Sequence, residues 1–275
     1  MGKILLLGSC ETSHAGGQAF EVLAREQKIP LQIRVLETPA GFELNSDKVA
    51  GRIADFLKVR LQNYQPSIKL VPARRKGGIN STDTPEYCEQ LADADLIFLG
   101  PGSPTYTIRH LKDSLIWQAL QAAFLQGSSI ALASAATIAF GRFALPVYEI
   151  YKVGEDPFWN MGLNFLSLFG LEVSFVPHWN NSDGGTELDT SRCFLGRSRY
   201  ETLSKELPAL HPTIGLDEQT GLILDISNQA GKIVGKGQVH LQIGGHVSHF
   251  SEGDTFSLSR LGDLRAPDLE TISAD

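Results

Sequence analysis

Two textures alternate along the chain. Short, continuous apolar runs at residues 3–7, 31–36, 68–71, 95–99 and 129–133 have the length and bounding residues of buried strands. Between them lie segments whose apolar residues recur at helical spacing. Residues 14–25 carry Phe20, Val22 and Leu23, and a helix capped by Ser46-Asp47 lines up Val49, Ile53, Phe56, Leu57 and Leu61. Further helices lead up to Leu91 and run near residues 111–125. Strands alternating with helices predict an α/β fold, a three-layer, doubly wound and mostly parallel sheet with helices on both faces. Residues 173–176 and 213–216 are expected to complete the parallel set. After Glu218 the pattern changes: residues 221–226, 232–243 and 246–250 alternate apolar and polar positions and are punctuated by glycine. That texture predicts antiparallel strands at the sheet's edge. The expectation is one domain over residues 1–263, with a β appendage over about residues 221–260. Residues 264–275 read as a flexible tail.

Composition narrows the class. The 275 residues include 42% hydrophobic and 20% charged ones, as in a globular enzyme or binding domain. A net charge of −7 argues against broad nucleic-acid binding, since few phosphates would be neutralised. The basic cluster Arg74-Arg75-Lys76 precedes Gly-Gly and reads as a solvated loop. No run approaches the roughly twenty apolar residues of a membrane span, and the start, MGKILLLGSCE, reads as a first strand rather than a secretory signal. The three scattered cysteines, Cys10, Cys88 and Cys193, imply neither a disulfide framework nor a zinc knuckle. A reduced, cytoplasmic protein is expected.

Candidate chemistry gathers where strands end. In "ALASAATIAF" Ser134 stands between a buried strand and a helix-forming sequence. It is either a nucleophile lifted above the sheet, with the N–H of Ala135 available to an oxyanion, or a small polar residue at a helix start. "LGPGSPTY" is a second strand-end loop, whose Gly102 N–H can complete an oxyanion hole or simply turn the chain. His178 follows a strand and a proline, which places it in the crevice at the strand ends unless it is structural. Asn180, Asn181, Asp183 and Asp189 add polar groups beyond it. Arg192 and Arg197 have the guanidinium forks that suit a substrate carboxylate, though a solvated or ion-paired role fits equally. Asp217 and Glu218 close another strand, where a carboxylate can orient His178 or merely mark an edge turn. His240, His246 and His249 match no standard zinc spacing and read as alternating strand residues, and neither GxGxxG nor GxxxxGK[ST] spacing occurs in "GSCETSHAGG".

FLGPGS, ALASAAT, PHW, GLDEQTGL and VGKGQVHL, in that order over roughly residues 3–258, resemble the peptidase E and cyanophycinase family. These are serine hydrolases on a fold similar to class I glutamine amidotransferases. The resemblance implies Ser134 as nucleophile, His178 as base and Glu218 as the third member of a triad. It implies an oxyanion hole from Gly102 and Ala135, and no metal or organic cofactor. The implied substrate is a small peptide or other amide, with an acidic residue beside the scissile bond. Ser103, Asn180, Arg192 and Arg197 are then the expected substrate contacts, with the two arginines as anchors. The family segment reads G-x-S-A-G-A, so Leu132 and Ala136 stand here in place of its glycines. That departure keeps open a catalytically silent binding or scaffold protein; a hydrolase of another amide or ester is a third reading. The stretch "LPVYEIYKVGEDPFWNMG", from Leu145, reads as a pocket wall or a homodimer contact. No nucleic-acid or membrane partner is expected.

Overall fold

In β1 (Ile4–Leu7) all four residues are buried, and they divide between two cores. Ile4 and Leu6 enter one apolar cluster, Leu5 and Leu7 the other, because successive side chains leave a strand on opposite faces. The same division recurs in β5 (Ser129–Ala133), where Ile130 and Leu132 face one core and Ala131 and Ala133 the other. A sheet whose strands are apolar on both faces must be covered on both.

The computed structural model describes residues 1–267. From β1 the chain runs through α1 (His14–Ala24), β2 (Gln32–Leu36), α2 (Ser46–Arg60), β3 (Ser67–Val71), α3 (Pro85–Ala92) and β4 (Leu96–Leu99). Then come α4 (Pro104–Leu111), α5 (Leu115–Gln126), β5 and α6 (Ala135–Ala139). Strands β1 to β5 pair in parallel in the order β1-β5-β4-β2-β3. The fold is therefore α/β, with a large, mostly parallel sheet and added antiparallel strands. Two short strands, β6 (Phe143–Ala144) and β7 (Asn160–Met161), pair with each other.

Three local expectations are corrected. Ser46 does not cap α2: its hydroxyl donates to the buried carboxylate of Glu37 at 2.9 Å, which is also paired with Arg74 at 2.8 Å. The helix expected near residues 111–125 is interrupted. Asp113 takes φ +57, and the Ser114 side chain accepts from Trp117 N to start α5 afresh. "GPGSPTY", read as a loop, opens α4 at Pro104, with Pro at its first turn and Ser103 accepting from Tyr106 N.

The parallel set is also smaller than expected. β8 (Ser174–Pro177) and β9 (Thr213–Leu216), which flank α7 (Arg197–Leu203), do not extend the large sheet. They form a second one with β12 (Val239–Ile243) and β13 (His246–Phe250), in the order β13-β12-β9-β8. The apolar run at residues 232–243 divides to serve both. β11 (Ala230–Gly235) pairs with β10 (Thr220–Asp225) at the edge of the large sheet, beyond which lies β14 (Thr255–Ser257). The chain changes sheets at Gly235, whose φ is +102 and where a Cβ would collide with the Gln219 carbonyl.

Leu264 packs against the core, and the Arg265 N–H donates to Phe169 O at 2.8 Å. The rest of the expected tail, residues 268–275, lies outside the described residues. No helix among the described residues is long and apolar enough to cross a membrane.

Candidate active site

Strand β5 is buried along its whole length and ends at Ser134, where the backbone takes φ 51 and ψ −111 before α6 begins. A non-glycine residue there costs on the order of 1–3 kcal/mol and is held only by its surroundings. What holds it is the register of β5 between β1 and β4 on one side of the turn and the buried α6 on the other. Neither Leu132 nor Ala136 prevents the turn. The Leu132 side chain leaves on the face packed by Ile116 and Leu120 of α5, where the core accommodates it, and Ala136 is itself fully buried in that core.

Two parallel strand ends bring up the other groups. β8 and β9 pair with Pro177 opposite Leu216, so the residues that follow them, His178 and the pair Asp217-Glu218, emerge side by side. His178 Nε2 lies 2.7 Å from Ser134 Oγ, and His178 Nδ1 lies 3.3 Å from Glu218 Oε1. With the proton assigned to Nδ1 facing Glu218, Nε2 is the acceptor for the serine hydroxyl. Strand alternation separates the two acids. Glu218 faces His178, while Asp217 turns into the protein, where it meets His240 Nε2 at 3.0 Å and accepts from Gln238 N.

Glu218 is anchored twice more. Asn181, buried, donates from Nδ2 to Glu218 Oε1 at 2.9 Å, and Asn180 Oδ1 accepts the Glu218 N–H at 2.9 Å. The hydrogen bond with His178 is the main cause that lowers the Glu218 carboxyl below its ordinary pKa; burial opposes it and the Asn181 bond adds to it. Asn181 had no assigned role in the sequence. Its position three residues beyond a strand-end histidine is the only signal, because its partner is far along the chain.

Two residues that border the same cleft as Ser134 bring backbone donors. Gly102 follows β4 with φ +152, and a Cβ there would collide with the Pro39 carbonyl, so only glycine fits the loop. Neither the Gly102 nor the Ala135 N–H donates to a protein group among the described residues, and Ala135 is buried. Buried amides are nearly always paired, so the Ala135 N–H, with that of half-buried Gly102, could receive an oxygen.

Gly102, Ser134, Ala135 and His178 share a small cleft of about 70 Å³. Its other walls are apolar or neutral: Pro104, Ile138, Val147, Tyr148, Cys193 and Phe194. Val147 and Tyr148 belong to the stretch expected to be a pocket wall or a dimer contact, and here they line the cleft. Burial holds the Cys193 thiol well above its ordinary pKa, so it stays protonated.

The four expected substrate contacts lie outside this lining. The Ser103 hydroxyl is occupied in capping α4, and Asn180 in holding Glu218. Arg192 stacks its guanidinium 4.0 Å above the Trp179 ring and donates to the Trp179 carbonyl. Arg197 sits exposed at the start of α7, with its backbone N–H given to Asp189.

No family model matches the chain, and no curated protein matches it either. Among solved structures, the crystal structure of a peptidase from an acI-B1 actinobacterium aligns with a TM-score of 0.73 at 21% identity. The match covers 94% of this chain and 97% of that one. A "Putative Peptidase E Protein" from Listeria monocytogenes EGD-e aligns with a TM-score of 0.52 at 13% identity, over 91% and 98% of the two chains. At these identities the likeness is one of fold, and it is the fold implied by the sequence motifs.

Proposed function

We propose that this chain is a serine hydrolase that cleaves an amide bond in a small peptide, with Ser134, His178 and Glu218 as its triad. The observation that carries the reading is the continuous path from Ser134 Oγ through the two ring nitrogens of His178 to the Glu218 carboxylate. Distances of about 2.6–3.2 Å suit proton transfer, and contacts loosen without substrate. The 2.7 Å Ser134–His178 contact falls inside that range. The likeness in fold to proteins described as peptidases supports the same reading.

In the mechanism this arrangement supports, Ser134 Oγ attacks the amide carbonyl while its proton passes to His178 Nε2. The developing oxyanion is received by the N–H groups of Gly102 and Ala135. Glu218 orients the ring and offsets the imidazolium charge. The C–N bond then breaks as His178 returns the proton to the leaving amine, leaving an acyl ester on Ser134. Water, deprotonated by the same nitrogen, attacks that ester; the acid departs and Ser134 regains its proton.

A silent scaffold would gain support from a serine packed away from both histidine and solvent-facing space. Ser134 instead borders the cleft and is only half-buried. Labelling with a fluorophosphonate probe is the direct test, with modification expected at Ser134 alone. Ser134→Ala should lose label and reduce kcat by at least about 10⁴-fold with folding retained. Turnover at the original rate in that variant would overturn the proposal.

A further inference from the structure

The cleft beside Ser134 also bears on what it accepts. Its lining residues include no lysine or arginine. The two arginines suited to a substrate carboxylate are engaged elsewhere or point outward: Arg192 covers Trp179, and Arg197 lies exposed on α7. Another basic cluster, Arg74, Arg75 and Arg109, acts on Tyr106, which does not line the cleft. Two carboxylates act on residues that do line it. Glu218 stands behind His178, and burial and then the charge of Glu43 raise the pKa of Tyr148 on the cleft wall. A carboxylate side chain entering here would shed water, meet no cation and lie near like charge.

The shape is set by an unusual piece of backbone. Arg192, Cys193 and Phe194 take φ values of 57, 58 and 68 in succession. This left-handed turn of three non-glycine residues is tied by Phe194 N–H to Thr190 O at 2.9 Å and by Arg192 N–H to Trp179 O at 3.2 Å. The turn puts Cys193 and Phe194 into the cleft wall, with the Phe194 ring 5.7 Å from the His178 ring and 5.3 Å from Tyr151. Backbone strain of this kind is concentrated at functional sites. Val147 and Ile138 add aliphatic side chains to the same lining.

We infer that the site selects an acyl residue with a small, uncharged, apolar side chain, from alanine to valine in size, and that the turn carrying Phe194 sets this limit. The inference rests on the hydrolase reading above. It reverses the acidic preference that the sequence motifs imply.

The test combines fluorophosphonate labelling of the full chain with a panel of aminoacyl p-nitroanilides, each with free and acetylated amine. Alanyl, valyl, leucyl, phenylalanyl, aspartyl and lysyl members are compared by kcat/KM. Alanyl or valyl substrates should exceed the aspartyl one by about 100-fold or more. Phe194→Ala should raise leucyl and phenylalanyl turnover relative to alanyl by about 10-fold. Val147→Ala should do the same from another lining position, independently of the Phe194–His178 ring contact. A labelled Ser134 with aspartyl preference, or with an order of preference unchanged in both variants, overturns the selectivity inference and leaves the hydrolase reading intact. An unlabelled Ser134 with no turnover of any member overturns the hydrolase reading, and this inference with it.

Discussion

Ser134 combines the proposed nucleophile and a conformational cost in one residue. Its φ of 51 and ψ of −111 lie where a Cβ is unwelcome. Ser134→Ala keeps that Cβ and removes the hydroxyl, whereas Ser134→Gly removes both. Urea unfolding should therefore find Ser134→Gly more stable than Ser134→Ala by about 1 kcal/mol, the reverse of the ranking inside a helix. Equal stability would mean that the turn is relaxed. The neighbouring acids make a similar point about single positions. Asp217 and Glu218 are adjacent acids that spacing alone does not separate, and the structure sends one to His240 and the other to His178.

At the scale of elements, the loop after β4 depends on a backbone approach that only glycine permits. Gly102→Ala should displace the loop from Pro39 and misplace one of the two free N–H donors. A fall in kcat of about 10²–10³-fold is expected, with KM changed far less; a variant retaining full kcat would remove Gly102 from the oxyanion role. The loop itself was legible as a rigid strand end in "LGPGSPTY". The first turn of α4 inside it was not, although Ser103-Pro104 is a readable start signal. The break between α4 and α5 was missed for a different reason. Apolar spacing continues through Leu111 and Leu115, and only the local geometry at Asp113 and the Ser114 cap interrupts it. The division of residues 232–243 between two sheets had a written marker, Gly235-Lys236-Gly237. A glycine in a strand marks an irregularity without saying where the chain goes next.

Across the whole molecule, two sheets with separate edges must dock for the site to exist. Ser134 ends a strand of the larger sheet, His178 and Glu218 follow strands of the smaller one, and α6 lies between them. Ile138 of α6 packs with Val176 and Trp179, so the same contact that joins the sheets sets the serine–histidine distance. Beside the smaller sheet, just before β9, lies a titratable group. His211 is lowered to about 4, chiefly by burial, and its Nε2 lies 2.9 Å from the buried Ser174 hydroxyl, which already accepts the Phe143 N–H. Between the unfolded value of about 6.5 and the folded value the unfolded chain binds more protons, so His211 removes stability as pH falls through that window. Thermal unfolding followed from pH 7 to pH 4 should show a shallower loss in His211→Asn than in the natural chain. Equal slopes would assign the acid sensitivity to other groups.

Periodicity in the sequence determines which faces of each element are buried. The α/β alternation, the elbow at Ser134 and the strand ends bearing His178 and Glu218 could therefore be read without coordinates. Spacing along the chain contains no comparable information about which element lies against which. The partition into two sheets, the Asn181 support of Glu218 and the capture of Arg192 by Trp179 came only from packing. So did the apolar cleft, because its lining residues are brought together from segments as distant as Gly102 and Phe194. Motif order singled out the candidate groups; tertiary contact decided their surroundings, and the small, uncharged substrate inferred above rests on those surroundings.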